Sequence, residues 1–199
     1  MKRGLVAAAA AALLVSGAAR AQQVSSADAR TTEDVRRALL RVPYYGVFDF
    51  LAFQYDKGTV TLSGFAYQPS LKRDVVRAVR RVTRVDQVVD DIEQLPVSHN
   101  DDDIRWATFD RIYGDSVLGR YAPGGGLTRL GRRFEMRRYP GMQPFGAYPI
   151  HIIVTGGRTL LLGEVDSTFD RTLAGARARE VPGAFGVENE LSVATAARR

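Results

Sequence analysis

The phrase Gly58-Thr-Val-Thr-Leu-Ser-Gly64 returns later in the chain as Gly157-Arg-Thr-Leu-Leu-Leu-Gly163. A recurring turn-and-strand phrase constrains the fold more than any single residue, because each copy must belong to the same supersecondary unit. Aligning Gly64 with Gly163 sets Leu62 on Leu161 and Ala66 on Val165. After a one-residue slip, Leu71 meets Phe169, Arg73 meets Arg171 and Ala78 meets Ala176. The slip is then undone, so that Val82 meets Val181, Val88 meets Val187 and Ile92 meets Leu191.

Each copy translates into elements. Phe53-Gln-Tyr55 alternates like a strand, Asp56-Lys-Gly58 is a turn, and Thr59 to Ala66 is the β-branched return strand. The second copy repeats this with Ile150 to Val154, Thr155-Gly-Gly157 and Thr159 to Val165. Gly64 and Gly163 stand where a strand side chain belongs, which predicts a bulge or the close approach of a helix. Leu71, Val75, Ala78, Val79 and Val82 then mark one apolar helical stripe, and Phe169, Leu173, Ala176 and Val181 mark its counterpart. A final strand carries Val88, Asp90 and Ile92 in the first unit and Val187, Asn189, Leu191 and Val193 in the second. Helices over Thr32 to Val42 and Asp102 to Tyr113 precede the hairpins, and Asp101-Asp102-Asp103 suits a helix N-terminus and its dipole. The fold class is therefore α+β: two tandem αββαβ modules, each a small mixed sheet with helices packed on one face.

The start of the chain reads differently. Met1-Lys2-Arg3 is basic, Leu5 to Val15 is apolar, and Ala19-Arg20-Ala21 ends in small residues. This is the pattern of a secretory signal over 1–21, cleaved after Ala21, and the apolar run is too short to span a bilayer. Losing Lys2, Arg3 and Arg20 leaves a formal charge of about +3 out of +6, so no nucleic-acid partner is expected. With no cysteine in the chain, disulfides, thiolate metal sites and a lipid anchor on cysteine all drop out. The expected location is the periplasm, and stability must come from burial.

The turn-Gly-x-x-x-Leu-x-Gly phrase, the amphipathic helix and the ending Val181-Pro-Gly183-Ala-Phe-Gly-Val187-Glu-Asn189-Glu-Leu191 resemble the BON domain. That family takes its name from bacterial osmotically inducible protein Y and nodulation proteins. The first copy departs, with Thr83-Arg84 in place of Pro-Gly and Asp90 in place of the asparagine. The resemblance implies a first BON-like module over 30–97 and a second over 101–195, the latter with a long insertion at 114–149. It further implies a non-catalytic exported module that contacts membranes or phospholipid, in envelope maintenance or osmotic stress. It carries no catalytic residues, and it makes the shared glycines scaffold.

Function is to be sought where the copies differ. The helix after the first hairpin presents Lys72, Arg73, Arg77, Arg80, Arg81 and Arg84 against one acid, Asp74. Such a face suits anionic headgroups, and it equally suits a solvated helix surface. Trp106, Phe109 and Tyr113 form an aromatic stripe beside Ile104, Thr108 and Ile112, fit for a membrane interface or for packing beneath the insertion. Within the insertion, Arg132, Arg133, Arg137 and Arg138 interleave with Phe134 and Tyr139 and could grip a polyanion. The expected partner is anionic phospholipid. The alternative is an envelope protein or the cell wall, met through the insertion or a sheet edge.

Enzyme signatures are weak. His151 alternates with Ile150 and Ile152 and is expected to point outward to solvent, and no nucleophile elbow accompanies either histidine. Gly124-Gly-Gly126 lacks the lysine of a phosphate loop, and the Asp101 run lacks calcium-loop spacing. No catalytic residue, metal or cofactor is expected.

Overall fold

The computed structural model describes residues 26–123 and 143–194. Both hairpins turn on two residues with positive φ, Lys57-Gly58 and Gly156-Gly157, the backbone twist that matches paired strands. Around them the first module runs α1 (Ser26–Leu40), β1 (Phe50–Asp56), β2 (Thr59–Ala66), α2 (Pro69–Val79) and β3 (Gln87–Gln94). The second runs α3 (His99–Tyr113), a short 3-10 helix at Leu118–Tyr121, β4 (Ile150–Thr155), β5 (Arg158–Val165), α4 (Thr168–Arg179), β6 (Gly186–Asn189) and β7 (Ser192–Val193). In each, an antiparallel hairpin gains a parallel strand through a helical crossover, so β2 and β5 lie centrally in mixed sheets. The helix-bearing face is the apolar one: Val60, Leu62 and Ala66 pack with Leu71, Val75 and Val79, and Ile150, Ile152 and Leu161 pack with Ala174 and Ala178.

The paired architecture agrees with the repeat; several details do not. The strand expected over 187–193 divides into β6 and β7, both paired with β5, because Glu190 bonds Leu161 and Asn189 folds back on Leu191. Gly64 and Gly163 accommodate a neighbouring strand rather than a helix. Their φ values are 116° and 119°, and a Cβ would lie 2.1 Å from the Phe50 carbonyl oxygen and 2.0 Å from that of Pro149. A side chain there meets backbone that cannot swing away. Gly163→Ala is therefore expected to destabilise the protein by about 1–3 kcal/mol in urea melts. A cost below 0.5 kcal/mol by that measure would count against this account.

Asp101 and Asp102 lie in the first turn of α3, as the acidic run suggested, and Ser98 is the cap, accepting from the Asp101 amide at 3.2 Å. Asp101 instead accepts from the Gly156 and Gly157 amides at 3.1 and 2.7 Å, tying α3 to the second hairpin turn.

The two modules share structure. Between α1 and β1 the chain passes through Tyr44–Asp49, and Val47 and Phe48 enter the core of the second module, not the first. The Val47 carbonyl accepts from the Ile152 amide at 2.8 Å, extending the free edge of β4. On the other side of this segment, Val47 donates to Pro144 and Gly46 bridges Phe145. The outer face of the second sheet is thus partly covered by the first module.

Candidate functional site

The basic face of α2 follows from its apolar spacing. Pro69 starts the helix, where its missing N–H costs nothing. Leu71, Val75 and Val79 are buried, which turns Arg73, Arg77 and Arg80 toward solvent. Arg77 in the last turn and Arg80 at the C-cap also suit the helix dipole. Arg81, Thr83 and Arg84 continue this exposed surface beyond the last turn. Arg77 pairs with Asp74 at 3.3 Å on the same helix. Lys72 is held inward: its ammonium donates to the Ile92 carbonyl at 2.6 Å and lies 3.5 Å from Asp90. This contact performs in the first module what the Asn189 amide performs in the second, where it donates to Arg171 at 2.7 Å. The Asp90 departure therefore has a structural answer, and Lys72 is as much a strut as a free charge.

Among the described residues, Arg73, Arg80 and Arg81 form no ion pair. With Lys72 and Arg77 they rim a shallow groove of ≈ 580 Å³ lined also by Pro69, Val76 and Asp90, the acid that Lys72 meets. Arg81 continues into a second groove between α1 and α2, shared with Arg37 and Arg41.

The aromatic residues lie elsewhere and face inward. Trp106 is only 6% exposed, edge-on to Phe48 at 5.5 Å and to Phe109 at 5.8 Å. Phe109 is partly buried against the same core, and Tyr113 is buried. The Tyr113 hydroxyl donates to the Ile150 carbonyl at 2.6 Å, and burial raises its pKa. Trp106 and Tyr113 thus have no face to offer a bilayer, and Phe109 is only partly exposed. They pack with Ile150, Ile152 and Tyr148, and Phe48 arriving from the first module closes over Trp106. Trp106 and the basic helix are not brought onto one surface. Arg132, Arg133, Arg137 and Arg138 lie outside the described residues.

Sequence reasoning missed the junction between modules. Asp49 is fully buried and accepts from the Gly46 amide at 3.0 Å, the Tyr67 amide at 2.7 Å and the Gln143 side chain. Burial pushes its carboxyl up to about 6, against the pull of those donors and the charge of Arg105. Arg105, also fully buried, donates to Asp102 and the Val154 carbonyl while its guanidinium sits 4.9 Å from the Tyr67 ring centroid. His151 does point out of its own sheet, but not into solvent. It is 7% exposed, 3.3 Å from the Tyr45 hydroxyl and edge-on to Phe50 at 5.5 Å. Burial holds its imidazole down to about 4, so it is neutral at physiological pH. Two-residue alternation located the side of the strand; a remote module decided whether that side was wet.

No group of metal-binding side chains occurs among the described residues. None of the described helices is long and apolar enough to cross a membrane. The BON domain model matches residues 27–96 and 137–195, well over half of the chain. The chain belongs to the BON domain family. BON domains are generally non-catalytic, envelope-associated binding modules; the first match spans the first module, and the second takes in β4 to β7 but not α3. No curated protein matches the sequence. Two solved structures of CdsD, a structural protein of the type III secretion system of Chlamydia trachomatis, are distantly similar. One, its C-terminal domain, is 11% identical, with 82% of this chain and 96% of that chain covered and a TM-score of 0.26. The other is 12% identical, with 84% and 94% covered and a TM-score of 0.28. Similarity at that level carries no functional weight.

Proposed function

We propose that this tandem BON protein associates peripherally with anionic phospholipid at the periplasmic side of the cell envelope, through the outward face of α2. The observation that carries this reading is the set of three arginines, Arg73, Arg80 and Arg81, exposed beside one groove with no acid paired to any of them. Each cation near a negative membrane surface contributes about 1 kcal/mol, so three to five of them support weak, reversible and salt-sensitive binding. A segment over 1–21 with the pattern of a secretory signal supports an extracytoplasmic site of action.

The test is co-sedimentation with phosphatidylglycerol-containing and purely zwitterionic vesicles at low and high salt. The protein should pellet with the anionic vesicles at low salt only. The triple variant Arg73→Gln/Arg80→Gln/Arg81→Gln should lower the partition coefficient about 100-fold, at about 1 kcal/mol per charge. Equal pelleting with both vesicle types would overturn the proposal, as would indifference to the triple substitution.

A further inference from the structure

We propose that Tyr44 and Phe145, with Leu40, form the part of the protein that enters the headgroup–acyl boundary of an anionic bilayer. This rests on the lipid reading above and adds a penetrating edge to its basic face. Three observations lead to it.

The first is exposure. Tyr44 is 58% exposed, Phe145 43% and Leu40 66%. The two rings meet edge-on at 5.5 Å, so this is a preformed aromatic pair.

The second is how the pair is held. Tyr44 has φ 67°, the left-handed region that a bulky side chain disfavours. The backbone around it is over-determined: the Tyr44 carbonyl accepts from Gln143, Gly46 bridges Phe145, and the Gly146 amide donates to Tyr45. These bonds lock the main chain of both segments together while leaving the rings in water. Neighbouring side chains of the same segment, Val47 and Phe48, are fully buried, so chain was available to be turned inward here.

The third is charge. Arg41 lies between Leu40 and Tyr44 in sequence and shares a groove with Arg81 at the end of α2. Arg81 also lines the main basic groove. Arg81 thus links the arginines of α2 to Arg37 and Arg41 in a groove that also holds Asp34, and Arg41 stands three residues before Tyr44 in the chain. An apolar edge rimmed by cations complements the interface of an anionic bilayer, where aromatic rings settle at headgroup depth and arginines meet phosphates.

Tyr44→Trp in the full chain supplies a depth reporter, and buried Trp106 serves as an internal reference. With phosphatidylglycerol vesicles carrying brominated acyl chains, the new indole should be quenched and blue-shifted, while Trp106 in the wild type should not. The double variant Tyr44→Asn/Phe145→Ser should lower partitioning into the anionic vesicles roughly tenfold at the low salt at which the wild type pellets. Asparagine tolerates the left-handed backbone, so an unchanged melting curve is expected for that variant. If the Tyr44→Trp protein pellets with vesicles but its indole is not quenched, the penetrating edge is overturned and the α2 reading stands. If the wild type does not pellet, both fall. If instead the wild type dimerises in solution and the double variant does not, the rings serve a second copy of the chain and the proposal is overturned.

Discussion

Phe48→Ala is expected to cost about 3–5 kcal/mol of unfolding free energy and to be felt mainly in the second module. The ring belongs by sequence to the first module, yet it is fully buried against Trp106 at 5.5 Å and Tyr67 at 5.7 Å. Truncation leaves a cavity that resists collapse, since the Phe48 amide is pinned to Gln143 at 2.9 Å and the adjoining Val47 carbonyl to Ile152. Phe53→Ala provides the comparison, because that ring is only partly buried on the small first core. Trp106, the one tryptophan, reports the second core directly by fluorescence during urea unfolding. A loss below 1 kcal/mol for Phe48→Ala, or a Trp106 transition indifferent to it, would refute the shared core.

The second large effect concerns pH. Asp49 has a folded value of about 6 against an ordinary 3.8, so its contribution to stability is full below pH 3.8 and is lost as pH rises through 6. His151 has a folded value of about 4 against 6.5, so its contribution is full above pH 6.5 and is lost as pH falls toward 4. Between pH 4 and 6 the two slopes oppose each other, each worth on the order of 3 kcal/mol. The wild-type junction should therefore show little net dependence across that window. His151→Gln, which keeps a polar partner for Tyr45, should unmask Asp49 and gain stability relative to wild type as pH falls from 6 to 4. Asp49→Asn should lose stability relative to wild type over the same window. Chemical denaturation at successive pH values reads these differences, and the titrations of other carboxylates cancel between variants. Parallel stability curves for all three proteins would show that the junction does not titrate as described.

How far the sequence could be read depended on the range of the interaction. Hairpin turns at Lys57-Gly58 and Gly156-Gly157, the apolar stripe of α2 and the strand from Thr59 to Ala66 are set by neighbours a few residues apart, and local spacing reveals them. The basic face of α2 was legible for the same reason: once Leu71, Val75 and Val79 are turned inward, the arginines between them must face out. The aromatic stripe of α3 was ambiguous from the start. Spacing says that Trp106, Phe109 and Tyr113 share a side, and it is silent on whether that side meets water, lipid or another part of the chain.

By itself, the sequence determined that this chain is two copies of one αββαβ unit, because period-two and helical patterns recur around the same glycine phrase. Tertiary structure alone decided which surfaces remain for function. It carried Val47 and Phe48 across to the second core, closed a module over His151, buried Arg105 and Trp106 at the junction, and left Tyr44 and Phe145 outside. The physical reason is that periodicity describes one element at a time. Burial of an element's second face depends on contacts between residues a hundred or so positions apart, such as Tyr45 with His151, and no local spacing encodes those.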